Sequence, residues 1–114
     1  MNTQRWALGL GISLQMLAGA ALAQEAGTQQ MLYVRSLAAT CANCHGTDGK
    51  TVAGSSVTSL AGLDKGYLLA QMKAFKAGTR PATVMHQISK GYNDAQIDTL
   101  AGYFAAQKNK AGSP

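Results

Sequence analysis

Only two cysteines occur in this chain of 114 residues, Cys41 and Cys44, three positions apart, with His45 directly after the second. On a helical turn, residues three and four apart share a face. Both sulfurs therefore project together, and the imidazole of His45 lies one turn on from Cys41. Two thiols so placed match two vinyl groups along one edge of a porphyrin, and the adjacent imidazole then reaches the iron of that ring. C-x-x-C-H reads as covalent haem attachment for this reason. Competing chemistries fit less well. A thioredoxin-like redox pair requires a βαβ setting, which the pattern lacks. A closed zinc shell takes four ligands, and the only thiols and imidazoles are Cys41, Cys44, His45 and His86, at a spacing unlike that of a zinc finger. A disulfide between positions i and i+3 closes too short a loop to staple a core.

An iron held by His45 needs a second axial partner or stays open to small ligands. Met31, Met72, Met85 and His86 are the candidates. Met31 precedes the motif on its own helix and is poorly placed to reach the far face. Met72 falls on an apolar helical stripe, where methionine is more often core. Met85 lies in a proline-led loop forty residues after His45, where the chain can cross the ring, and is the preferred ligand. His86 or an open site are the alternatives. Histidine–methionine ligation raises the potential and saturates the iron, which directs the chemistry to outer-sphere electron transfer.

The elements that must position these residues are helical; no strand is expected. Val34, Leu37, Ala38 and Cys41 follow i, i+3, i+4, i+7 spacing and predict a helix over Gln29–Cys41 that delivers the motif at its C-terminal end. Gly46 to Leu63, rich in Gly, Ser and Thr, reads as a loop. A second helix is expected over Gly66–Gly78, with Leu68, Met72 and Phe75 on one face and Gly78 and Pro81 ending it. The stretch RPATVMHQISKGY reads as a loop with one helical turn. Asn93 with Gln96 three residues later resembles a capping box. It opens a last helix whose Ile97, Leu100, Ala101, Phe104 and Ala105 form a single apolar stripe. No internal repeat is visible.

The first 23 residues have a different character. Arg5, an apolar acid-free run from Trp6 to Leu22 and a small-x-small end at Ala21–Ala23 are the order of a secretory signal peptide cleaved after Ala23. Export to a periplasm follows, with residues 24–114 as one domain and no membrane association after cleavage. Such a domain hides only about 60–65% of its unfolded surface and usually needs a staple or cofactor. One covalent haem would supply the missing apolar core. The full chain carries a net charge of +5. Without Arg5, nine Lys and Arg face five acids, a net +4. These cations are scattered and not interleaved with aromatics, which argues against nucleic acid and for acidic protein partners. Lys50, Lys65, Lys73, Lys76 and Lys90 are candidates for a ring around an exposed haem edge.

Residues Thr40 to Lys108 resemble a class I c-type cytochrome. CANCHGTDG is similar to the haem-attachment start of many single-haem bacterial members. SLAGLDKGYLLAQMKAFKAGTRPATVM followed by ISKGYNDAQIDTLAGYFAAQK looks most like the cytochrome subunit of flavocytochrome c sulfide dehydrogenase. The resemblance implies an all-α domain of three to five helices with long loops wrapped around haem, in which the first and last helices cross and pack. It makes Cys41 and Cys44 the thioether sites, His45 the proximal ligand and Met85, nine positions before Asp94, the distal ligand. Relatives often carry a proline after the motif whose carbonyl accepts a hydrogen bond from the ligand imidazole. Here VAGSSVTSL lacks one, and a carbonyl between Ser56 and Ser59 is expected instead. The implied function is an exported electron carrier, by itself non-catalytic, paired with a sulfide-oxidising flavoprotein. A free shuttle to a terminal oxidase, and a haem enzyme or gas sensor with an open distal site, are the other readings.

Overall fold

Asn93 accepts a hydrogen bond from the amide of Gln96 at 2.9 Å, and the Gln96 side chain accepts one from the amide of Asn93 at 3.0 Å. This reciprocal box satisfies two amides that a helix start otherwise leaves unpaired. From it runs the last helix of the computed structural model, which describes residues 23–107. In chain order, α1 occupies residues 23–39. It is followed by α2 (Ala42–His45), a 3-10 turn (Thr47–Gly49), α3 (Lys65–Ala77), α4 (Met85–Lys90) and α5 (Asp94–Ala105). Among the described residues there is no strand, and the fold is all-α, as the sequence pattern indicated. No described helix is long and apolar enough to cross a membrane.

The chain divides into two compact units, Met1–Tyr33 and Val34–Pro114. Of the first, residues 23–33 are described; they are helical and exposed, with Met31 64% accessible. The expected export segment, apart from Ala23 at its end, lies outside the described residues.

The second unit holds the motif. Helix α1 stops two residues before the expected Cys41. Its terminus is marked by Thr40, whose Oγ1 donates to the carbonyl of Leu37 at 2.7 Å, a local side-chain bond that competes with continued helix. Cys41 then serves as the N-cap residue of α2, its carbonyl accepting from the amide of His45 at 2.9 Å. Helix α3 starts at Lys65 because Asp64 caps it, Oδ1 accepting from the amide of Tyr67 at 2.8 Å. It ends on Gly78 in the left-handed region at φ +76°. The single turn expected around Met85 is a six-residue helix, α4.

Helix α3 packs against both α4 and α5. Ala38 of α1 is buried in one cluster with Leu68, Leu100, Ala101 and Phe104, so the last-helix stripe packs as its spacing required. The long loop after the motif is fastened rather than free. Gly49, at φ +74°, comes so near α5 that an added Cβ would lie 2.8 Å from Phe104 Cδ1. Its carbonyl accepts from the amides of Leu60 and Ala61, and the amide of Gly62 donates to Phe104 O at 2.9 Å. The core proper is small, and beside it opens a cavity.

Candidate functional site

The cavity encloses about 780 Å³ including its open mouth. Its walls are mainly apolar: Leu60, Leu63, Leu68, Phe75, Ile88, Leu100, Ala101 and Phe104 line it. Into the same space come Cys41 and His45 from the motif, Met72 from α3 and Met85 from the start of α4. Cys44 is exposed and Cys41 half-buried. Burial is the main cause that pushes the Cys41 thiol up from its ordinary value; the Thr40 hydroxyl opposes this and the nearby Cys44 adds to it.

His45 Nδ1 lies 2.7 Å from the carbonyl oxygen of Thr58. A carbonyl can only accept, so Nδ1 carries the proton and Nε2 keeps its lone pair, the arrangement that suits a metal ligand. Thr58 falls within the Ser56–Ser59 interval expected for this acceptor, although no proline fixes the loop. The other candidates separate by position. Met31 is exposed in the first unit. His86 does not line the cavity, and its Nδ1 is buried without a hydrogen-bond partner. Met72, expected as core, lines the cavity and receives the hydroxyl of wholly buried Ser89 on its sulfur at 3.6 Å. Among the described residues, no three His, Cys, Asp or Glu side chains gather as a metal-binding group.

Several polar residues at the cavity carried no sequence signal. Arg80 lines it, with its guanidinium 4.5 Å from the centre of the Phe75 ring and donating to Gln71 Oε1. Tyr92 lines it too and bonds Thr40. These pairings join positions 5, 9 and 52 residues apart, and no local pattern encodes them. An apolar cleft offering two thioether sulfurs, an imidazole oriented by a carbonyl and the thiol of Cys41, with Cys44 exposed beside it, suits haem. The residues present fit that group.

Comparison with known proteins agrees. A family model described as cytochrome c matches residues 33–108, and the chain belongs to the cytochrome c family. It carries covalently attached haem c, and the one C-x-x-C-H motif provides for one. The chain is 32% identical over 108 residues to a thiosulfate dehydrogenase electron acceptor of Stutzerimonas stutzeri, covering 93% of this chain and 49% of that protein. It is 38% identical over 74 residues to the cytochrome subunit of sulfide dehydrogenase of Chlorobaculum tepidum, covering 65% and 66%. It is 36% identical over 112 residues to cytochrome c4 of Pseudomonas aeruginosa, covering 98% and 52%. The chain thus spans about half to two thirds of the length of these relatives. A solved structure of Acidithiobacillus ferrooxidans cytochrome c4 superposes with a TM-score of 0.54 at 38% identity, over 58% of this chain and 38% of that one.

Proposed function

We propose that this protein is an exported monohaem carrier of single electrons, with Cys41 and Cys44 as the thioether sites, His45 as proximal ligand and Met85 as distal ligand. The observation that carries this reading is the convergence of an imidazole with its Nδ1 already committed and the thioether of Met85 on one apolar cavity that Cys41 also lines. Haem, when bound, supplies a one-electron iron couple. The Thr58 carbonyl holds the His45 ring in orientation through its Nδ1. Met85 would supply the second ligand to the haem iron, a thioether that favours a higher potential. Leu60, Leu68 and Phe104 exclude water, which limits solvent rearrangement when charge arrives or leaves. With His45 and Met85 both holding the iron, the chain would leave no place for a substrate there, and the chemistry it would support is electron exchange with a docked partner.

Two relatives named for sulfide and thiosulfate dehydrogenases point to the partner class. In this reading the carrier receives electrons one at a time from an enzyme that oxidises reduced sulfur, a sulfide-oxidising flavoprotein foremost, in the periplasm. Co-purification with a flavoprotein that reduces the haem on addition of sulfide supports that assignment. Reduction only through a general quinol-linked donor returns it to a free shuttle.

The ligand set is tested by absorption spectroscopy. The oxidised protein is expected to show the weak sulfur-to-iron band, and the reduced protein to bind carbon monoxide slowly. Met85→Ala should remove the band, open the iron to carbon monoxide and lower the potential while haem stays attached. A spectrum and potential unchanged by that substitution would transfer the role to Met72, the other thioether on the cavity.

A further inference from the structure

Thr40 stands where the haem-attachment motif begins, and Tyr92 stands just past α4, 52 residues later. Their hydroxyl oxygens are 2.6 Å apart. Thr40 Oγ1 also lies 2.7 Å from the Leu37 carbonyl, which has no proton to give, so the threonine hydroxyl donates there. Its lone pair is then the acceptor, and Tyr92 is the donor. The ring of Tyr92 lines the same cavity as Cys41, His45 and Met85 and packs against the buried cluster.

Tyr92 is firmly continuous with α4. Its amide donates to the carbonyl of Ser89 at 3.3 Å, and Ser89 is wholly buried with its hydroxyl on the Met72 sulfur. Helix α4 is therefore tied to α3 through Ser89 and to the motif turn through Tyr92. Met85 is the first residue of that short helix. We propose that Tyr92 is a positioning residue for the distal ligand: by donating to Thr40 it latches α4 to the turn that carries Cys41 and His45, and so would keep Met85 where it can hold the haem iron. This rests on Met85 being the axial ligand. Loss of the latch would leave the aromatic ring at position 92 in the cavity wall but let the α4 segment, and Met85 with it, move away more often.

The sequence gives Tyr92 no such role, because nothing local to KGY announces a partner at Thr40. The size of the effect follows from one net hydrogen bond. Thr40 is exposed, so water competes for the bond, and the open population should rise by about two- to tenfold.

The test is carbon monoxide association with the reduced holoprotein, a rate governed by departure of the distal ligand. Tyr92→Phe and Thr40→Val should each accelerate association by about two- to tenfold. The double variant should be no faster than the faster single one, because both remove the same bond. The ferric sulfur-to-iron band should persist in all three. Rates equal to that of the parent protein would overturn the latch, as would accelerations that multiply in the double variant. A lowered unfolding midpoint with an unchanged carbon monoxide rate would show a merely structural bond and also overturn it. If the parent protein already binds carbon monoxide as fast as Met85→Ala, the histidine–methionine reading falls, and the latch with it. A slow parent rate with an unaltered Tyr92→Phe rate removes the latch alone.

Discussion

Two histidines illustrate how much a single contact decides. His45 donates through Nδ1 to the Thr58 carbonyl and lines the cavity, so its Nε2 is the nitrogen available to a metal. His86 has its Nδ1 buried without a partner and lies off the cavity, although it sits beside Met85 in sequence. Tyr103 gives a pH-dependent example. Its hydroxyl donates to Asp48 Oδ1 at 2.6 Å, joining α5 to the turn after the motif. That bond to a carboxylate is the main cause that raises the Tyr103 phenol above its ordinary value, with burial second and the Asp48 charge third. A raised value in the folded state means that the stabilisation is complete below the unfolded tyrosine value of about 10 and is lost as pH rises through the folded value. Tyr103→Phe should therefore cost about 1 kcal/mol at neutral pH, and the deficit should shrink as pH climbs above 10. Urea unfolding of both proteins across that range checks the sign.

At the level of elements, α5 was the most legible part of the chain and the motif loop the least. Asn93, Gln96 and the Ile97–Phe104 stripe are local signals, and each behaves in the fold as its spacing implies. The end of α1 was misplaced by two residues because apolar spacing does not register the hydroxyl of Thr40 turning back onto Leu37. The composition of Gly46–Leu63 indicates loop, and it is loop apart from the 3-10 turn at Thr47–Gly49, but its anchoring to Phe104 depends on residues more than forty positions away. Gly49 bears that anchoring. Gly49→Ala places a side chain at positive φ and drives it against Phe104 and Leu60, so a loss of about 2 kcal/mol or more is expected. Thermal unfolding of the holoprotein measures it. A substitution at Gly54, which has positive φ but open space around it, should cost less and separates backbone strain from collision.

The whole molecule carries a net charge of +5, yet the lysines expected around a docking edge are not equally free. Lys65 pairs with Asp98 and Lys76 with Asp94, each at 2.9 Å, and Lys50 stands 4.0 Å from Asp48. The Lys76 pair also draws the Asp94 carboxyl below its ordinary value, chiefly by the hydrogen bond. Among the described residues neither Lys73 nor Lys90 forms a salt bridge, although the Lys73 charge also helps to lower Asp94, and these two remain the stronger docking candidates. Electron exchange with an acidic partner should slow as ionic strength rises from 0.01 to 0.15 M, a range over which the screening length falls from about 30 to about 8 Å. Lys73→Gln with Lys90→Gln should flatten that dependence more than Lys65→Gln with Lys76→Gln, because the latter pair is already neutralised within the molecule. Stopped-flow mixing with a reduced acidic redox protein provides the measurement.

What the sequence alone determined was the chemistry: the attachment motif, the short set of possible iron ligands, the helical class and the cap of α5. All of these reside in residue type and near-neighbour spacing, where backbone geometry fixes which side chains meet. Only the tertiary structure decided which candidates share a cavity, which carbonyl orients His45, how Thr40 and Tyr92 join, and which lysines are already paired. Apart from Lys50 beside Asp48, those choices depend on residues 13 to 52 positions apart, and chain distance gives no measure of their separation until the helices have packed.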